Sequence, residues 1–331
     1  MDGLNRRVHA IAGKGGVGRT TVACGLAWAF AELGYRTLLL EVDAPDSVAS
    51  RFNVVPSRDE PREIFNNLWY CNMTPEGSLR EYALLILRFR TLYNLVFENR
   101  LVKYLLRSIP SLGAFTMAGK FWYHTDQRDE ARRAPRFDRI VVDLPATGHA
   151  VTFLGVSRVV ADLSPAGRMK REAERMARMI EDKESCLHIV ARAEEMPINE
   201  ALELERAARE RLRMQLGVVF MNRTSPPVLT DSEAAFIEGL DEPLVDPILR
   251  PVRTRIHRDR LARAQVARHR QASQLPVIEI PELEDLKVGR EGATLFASHL
   301  FPHLERVASE PTPDPVDGRF LMGARAAGGP A

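Results

Sequence analysis

Uninterrupted apolar runs alternate along this chain with stretches of helical periodicity, and the expected fold rests on that alternation. Val8 to Ala12, Thr37 to Val42, Leu68 to Met73, Arg139 to Leu144, Leu187 to Ala191, Gly217 to Met221 and Val277 to Ile280 each read as a short strand. The runs are apolar throughout rather than alternating, as strands of a parallel sheet covered on both faces must be. Helical patterns fall between them, at Thr20 to Leu33, Arg168 to Glu181, Ile198 to Met214 and Leu283 to Leu300. Strands and helices in turn predict a doubly wound α/β fold with a mainly parallel sheet. Residues 53–67, punctuated by Pro56 and Pro61, read as a surface connection, and the charged stretch 125–136 as a loop or a frayed helix end.

One segment departs from this rhythm. From Ser78 to Tyr123 the chain is helical and densely apolar, with Leu85, Phe89, Leu92 and Val96 at four- and three-residue steps and Tyr93, Phe97, Leu101 and Tyr104 widening the stripe. Pro110 and Gly113 interrupt it before a second short helix with Met117, Phe121 and Trp122. Two readings stay open: the stripe packs into the common core, or it forms a helical layer with a partly exposed groove. The Pro-, Gly- and Ala-rich end reads as a disordered tail. The expected organisation is a single domain over 1–310 containing a helical insertion at 78–124, followed by a tail at 311–331.

The first strand-to-helix junction carries the clearest chemistry. Gly13, Lys14, Gly15, Gly16, Val17, Gly18, Arg19 and Thr20 form a glycine-rich loop whose backbone N–H groups can curl around a polyphosphate, with the positive end of the next helix aimed at the same point. Lys14 and Arg19 add charge, and Thr20 offers a hydroxyl to a magnesium ion. The ordinary P-loop has lysine where this chain has Arg19. Two strands end in carboxylates that suit magnesium or its water shell, Asp43 after the second and Asp143 after the strand beginning at Arg139. Asp43 reads equally as a turn cap. Pro145-Ala146-Thr147-Gly148-His149 forms a turn able to order and disorder with a bound third phosphate, with His149 a general base or a structural residue. Asn222, at the end of its strand, reads as a purine-edge contact or as a strand-end turn.

Composition narrows the setting. With 331 residues, 45% of them hydrophobic, the chain can fill a full core. A net charge of +2 does not advertise nucleic acid or membrane as a whole-molecule partner. The run Arg250 to Arg270, with Arg250, Arg253, Arg255, Arg258, Arg260, Arg263, Arg268 and Arg270 against Asp259 alone, is a solvated helix face or a basic surface. Cys24, Cys71 and Cys186 lie far apart in apolar contexts, which fits buried free thiols rather than a zinc site, an iron–sulfur cluster or a redox pair. No apolar run reaches the roughly 18 to 20 residues of a spanning helix, and no secretory signal precedes the first strand. A cytoplasmic protein is expected.

Assembled, these motifs resemble the ArsA family of deviant P-loop ATPases, the group of the arsenite-pump subunit and of the chaperone for tail-anchored membrane proteins, with a sheet of the P-loop NTPase (MinD/ArsA) type. The resemblance runs from about Val8 to Leu300 and is carried by the loop with Thr20 and Thr21, by Asp143 with the turn after it, and by Asn222. It is most marked toward bacterial ArsA-related ATPases, which share the Glu41-Val42-Asp43 ending, a "GKFWY"-like close to the insertion and an "EEMPINE"-like turn.

The resemblance implies ATP and Mg2+ as cofactors, phosphate binding by residues 13 to 21, base recognition by Asn222, and metal binding by Thr20, Asp43 and Asp143. It implies a homodimer, or a heterodimer with a related ATPase, in which Lys14 reaches the partner's phosphates and acts with Arg19 on the developing charge. It also implies a hydrophobic helical client at the insertion. Two departures qualify this. Arg19 is not interchangeable with lysine, and Ser50 stands where the family's water-positioning aspartate belongs, so hydrolysis should be weak or partner-dependent, as in the degenerate half of a heterodimer. The chain lacks the family's arsenite-sensing cysteine cluster, so no arsenite role is expected. The alternative is a ParA- or MinD-like positioning ATPase that meets DNA or anionic membrane through the basic run.

Overall fold

A computed structural model describes residues 2–58, 60–87, 111–225, 228–240, 246–283 and 287–308. Eight strands form one sheet: β1 (Val8–Gly13), β2 (Thr37–Val42), β3 (Arg62–Phe65), β4 (Leu68–Met73), β7 (Arg139–Asp143), β8 (Ser185–Ala191), β9 (Gln215–Thr224) and β10 (Val277–Pro281). The order is β10-β9-β8-β1-β7-β2-β4-β3, parallel throughout except for the antiparallel edge pair β3 and β4. A separate two-residue ladder joins β5 (Arg128–Asp129) to β6 (Ala134–Pro135). The doubly wound α/β class expected from the apolar runs is what the chain adopts.

The period of two along each strand sorts the core into two layers. On one face Ala10, Leu40, Val142, Ile189 and Val219 meet α4 (Leu112–Asp126), α5 (Thr147–Leu163), α6 (Arg168–Glu181) and α7 (Glu195–Ala207), through Phe121, Phe153, Met176 and Ile198 among others. On the other, Ile11, Leu39, Val141, Val190 and Phe220 meet α1 (Arg19–Glu32), α2 (Ser47–Phe52), α10 (Arg290–Ser298) and α11 (Phe301–Ala308). Helix α1 is buried over every position from Val22 to Ala31, which explains its small, apolar sequence with no polar side.

The local reading is corrected at four places. Residues 62–65, inside the expected surface connection, form edge strand β3; an edge needs one partner only, and Pro56 and Pro61 both precede the strand rather than break it. The turn after Asp143 is already helical at Thr147, where α5 begins. The helix expected at 198–214 starts at Glu195 and ends in a π turn over Ala208–Leu212. The closing helix starts at Arg290, not Leu283, and is followed by α11.

Of the insertion, α3 (Pro75–Leu87) and α4 are described and pack on each other, with Tyr82 edge-on to Phe115 at 6.3 Å and Lys120 paired to Glu81 at 2.6 Å. Met117 and Phe121 are buried in the core. The stripe at Phe89, Leu92, Tyr93, Val96, Phe97, Leu101 and Tyr104, and the tail at 311–331, lie outside the described residues.

All three cysteines are buried and none is in a disulfide among the described residues. Cys186 sits with His9 and His188 between β1 and β8, and the tautomers there follow from the backbone. Val218 N–H donates to His188 Nδ1 at 3.1 Å, so the ring proton is on Nε2, which donates to His9 Nδ1 at 3.0 Å. Burial lowers His188 to about 3 and keeps it neutral. A metal-bound histidine donates its second ring N–H outward. His188 does the reverse, and the trio braces the two strands by hydrogen bonds.

Candidate nucleotide site

Strand β1 ends at Gly13 and α1 begins at Arg19, with the loop between them on the edge where β7, β2 and β9 also end. Gly18 caps α1 in a left-handed conformation with φ 95°, and a Cβ there would lie 2.3 Å from Asn222 Nδ2, so both backbone and space demand glycine. At Gly13 a Cβ would lie 2.2 Å from the Val190 carbonyl oxygen of the neighbouring strand. Gly18 offers no side chain to cap the N-terminus of α1, and no acidic residue lies in its first turn. The helix therefore presents unpaired N–H groups and a positive end, as an anion site requires.

Strand parity decides what faces that helix end. Asp143 shares the face of Val141, and Asn222 that of Phe220, both on the α1 side. Thr20 Oγ1 donates to Asp143 Oδ2 at 2.6 Å. Asp143 Oδ1 is buried without a hydrogen-bond partner among the described residues. Burial pushes the Asp143 carboxyl up to about 7; the Thr20 hydroxyl and the Arg19 guanidinium pull it down, and Glu41 on the adjacent strand raises it. An orphaned carboxylate oxygen beside a hydroxyl, both hard donors, fits a magnesium ion, whose charge would hold Asp143 ionised.

Arg19 donates to the Leu144 carbonyl and lies against Asp143, its basicity lowered by burial. Asn222 is buried, and its amide donates to the Val17 carbonyl at 2.8 Å, bracing the loop from below. Thr21 Oγ1 accepts from Arg51 of α2 at 2.5 Å. Ser50, one residue earlier, is exposed. Asp43 is exposed as well, at φ 47°, with its N–H on the Met73 carbonyl, and no side-chain contact joins it to the Thr20 and Asp143 pair among the described residues. His149 is exposed in the first turn of α5.

Two carboxylates take parts that the sequence did not assign to them. Glu41 is fully buried in β2 opposite Asp143 in the register, and it accepts from Ser47 N–H at 2.6 Å, Val48 N–H at 3.3 Å and the Tyr70 hydroxyl at 2.6 Å. It anchors the start of α2, and its signal was a lone carboxylate inside an apolar strand. Glu200 of α7 pairs with Lys14 at 3.1 Å. Only the tertiary structure places it there.

Residues 6–164, which hold the loop, both carboxylate-ended strands and the start of α5, match the family of anion-transporting ATPases of the ArsA type. Over this stretch the chain carries an ArsA-type ATPase domain. It is similar to the ATPase BagA of Mycobacterium tuberculosis (strain ATCC 25618 / H37Rv), 28% identical over 308 residues, covering 84% of this chain and 88% of that protein. Over 145 residues it is 28% identical to the arsenical pump-driving ATPase of Escherichia coli, covering 43% of this chain and 24% of that one. A putative arsenical pump-driving ATPase of Prosthecochloris vibrioformis is 37% identical over 75 residues, 23% of this chain and 18% of that one. Among the described residues no helix is long and apolar enough to cross a membrane.

Proposed function

We propose that this chain is a magnesium- and ATP-dependent dimeric ATPase whose nucleotide state controls a helical partner surface at 78–124, with hydrolysis that is slow or partner-dependent. The observation that carries the reading is the Thr20 and Asp143 pair, its orphaned oxygen set beside the uncapped start of α1. Loop N–H groups of residues 13 to 18 and the first turn of α1 hold phosphate. Thr20 and Asp143 hold magnesium, with Asp43 at its water shell. The metal supplies charge neutralisation on the phosphates. Arg19 adds positive charge beside them, and Asn222 fixes the loop and stands ready for the base.

Ser50 offers no carboxylate to orient water, which supports weak turnover by the chain alone and the degenerate half of a heterodimer as its setting. Helices α3 and α4, rooted on the sheet face opposite α1, hold both ends of the segment that would meet a hydrophobic client or partner. Arsenite binds thiols, and each of the three thiols here is buried. The basic run lies on α9 (Asp246–Ala272), where Arg250, Arg253, Arg255, Arg260, Arg263 and Arg270 pair with Asp246, Asp259, Glu238, Asp231 and Glu279. Those pairings favour the solvated-face reading over a DNA or membrane surface.

The test is turnover and oligomeric state of the purified chain with and without MgATP, with Asp143→Ala as control. ATP-dependent dimerisation with slow hydrolysis is expected. Fast hydrolysis by the lone chain that is lost in Asp143→Ala would contradict the slow-turnover reading, and salt-sensitive, ATP-dependent DNA or vesicle binding would favour the positioning ATPase.

A further inference from the structure

We propose that Glu200 is a positioning residue: it holds Lys14 on its own subunit when no nucleotide is bound and gives the lysine up when ATP closes the dimer. The inference rests on the reading of Lys14 as a dimer-closing residue and adds a control to it. Lys14 Nζ lies 3.1 Å from Glu200 Oε1, its one side-chain partner among the described residues. The other oxygen, Oε2, lies 3.5 Å from Thr147 Oγ1, so one carboxylate spans the phosphate loop and the first turn after the β7 carboxylate.

The two ends of this link differ in rigidity. Glu200 projects from α7, which is fixed to the sheet by buried Pro197, Ile198, Ala201 and Leu204. Lys14 precedes Gly15 and Gly16, around whose backbone there is open space. When the link breaks, the lysine is the partner that moves. Its side chain is 32% exposed and that of Glu200 is 28% exposed, so water screens the pair, and its bias on Lys14 is at most about five-fold. That strength suits a latch. A fully buried pair would trap the lysine, whereas this one sets a threshold that the larger negative charge of a nucleotide can exceed.

The latch also has a route to the nucleotide. Thr147 follows Asp143 by four residues, at the segment read from sequence as ordering with the third phosphate. Movement of Thr147 toward a phosphate takes away the second contact of Glu200 and loosens its hold on Lys14.

The experiment measures dimerisation of the full chain by sedimentation as a function of MgATP concentration, for wild type, Glu200→Gln, Glu200→Asp, Lys14→Ala and the double variant Lys14→Ala/Glu200→Gln. Glu200→Gln is expected to lower the half-maximal ATP concentration two- to five-fold, with Glu200→Asp returning toward wild type because the charge is kept. Lys14→Ala is expected to abolish ATP-driven dimerisation, and Glu200→Gln to have no effect in that background. An unchanged or raised half-maximal concentration in Glu200→Gln, with Lys14→Ala still abolishing dimerisation, overturns the latch and leaves the dimer reading standing. Normal dimerisation by Lys14→Ala removes the dimer reading and the latch with it. A nucleotide-free melting temperature of Glu200→Gln equal to wild type separates the effect from general loosening of the fold.

Discussion

Thr20 Oγ1 stands 2.6 Å from Asp143 Oδ2, while the other oxygen of that buried carboxylate has no hydrogen-bond partner among the described residues. A half-satisfied buried carboxylate is costly unless a cation or a proton completes it. Asp143→Asn and Thr20→Val are each expected to weaken magnesium-dependent ATP binding about ten- to hundred-fold, the usual cost of disturbing a metal's supporting groups. Affinity for ATP in excess chelator should change little. Calorimetric titration with and without magnesium reads both, and equal losses in the two conditions would place the pair outside the metal site.

Arg19 and Ser50 predict how turnover can be raised. The guanidinium is held on the Leu144 carbonyl, and Ser50 is exposed on α2 one residue before Arg51, which ties that helix to Thr21. Ser50→Asp supplies a carboxylate where general-base assistance contributes on the order of a hundred-fold or more. The Arg19→Lys/Ser50→Asp protein is expected to hydrolyse ATP at least about ten-fold faster than wild type in a steady-state phosphate-release assay. No increase would mean that the slow step lies elsewhere, dimer closure being the first candidate.

Asn222 is a brace before it is a contact for a base. Its 2.8 Å bond to the Val17 carbonyl fixes the loop from a strand 205 residues away. Asn222→Ala leaves that acceptor unpaired in a buried setting and is expected to cost about 1 to 3 kcal/mol of stability, and to weaken ATP and ADP alike. If it also sees the base, ATP will lose its preference over triphosphates with other bases. Competition binding among nucleotides separates the two effects.

The pH dependence has opposing contributions whose signs follow from burial. His124, lowered to about 4 by burial and by the nearby Lys120 charge, and His188, lowered to about 3 by burial, stay neutral in the folded chain. Below their ordinary pKa of about 6.5 the unfolded chain takes up protons that the folded one refuses. Their contribution is therefore complete above that value and is lost as pH falls toward the folded pKa. Asp143, raised to about 7, runs the other way: the folded chain holds its proton between the ordinary carboxylate range and neutrality, and stability falls as pH rises through that window. In Asp143→Asn, where that opposing group is gone and Glu41, also raised by burial, is left to offset part of the effect, urea unfolding at about pH 5.5 should show up to roughly 1 kcal/mol less stability per histidine than at about pH 7.5. A flat profile in that variant would mean that these rings are protonated in the fold.

The sequence by itself determined the parallel strands, the phosphate loop, the buried helix after it and the two carboxylate-ended strands, because each is written in local periodicity and in glycine spacing. It did not determine which carboxylate meets Thr20. Glu41 and Asp43 share one strand parity, yet Glu41 turns inward to hold α2, while Asp43, at φ 47° past the end of β2, leaves the strand direction and faces solvent. Nor did it pair Lys14 with Glu200 or Val17 with Asn222. Those partners lie far apart along the chain and meet because the strand order sets β8 beside β1 and β9 next to β8, an outcome decided by packing two helical layers on one sheet. Local pattern carries the elements. The contacts that make a site of them depend on strand order and parity together, which exist only once the sheet is assembled.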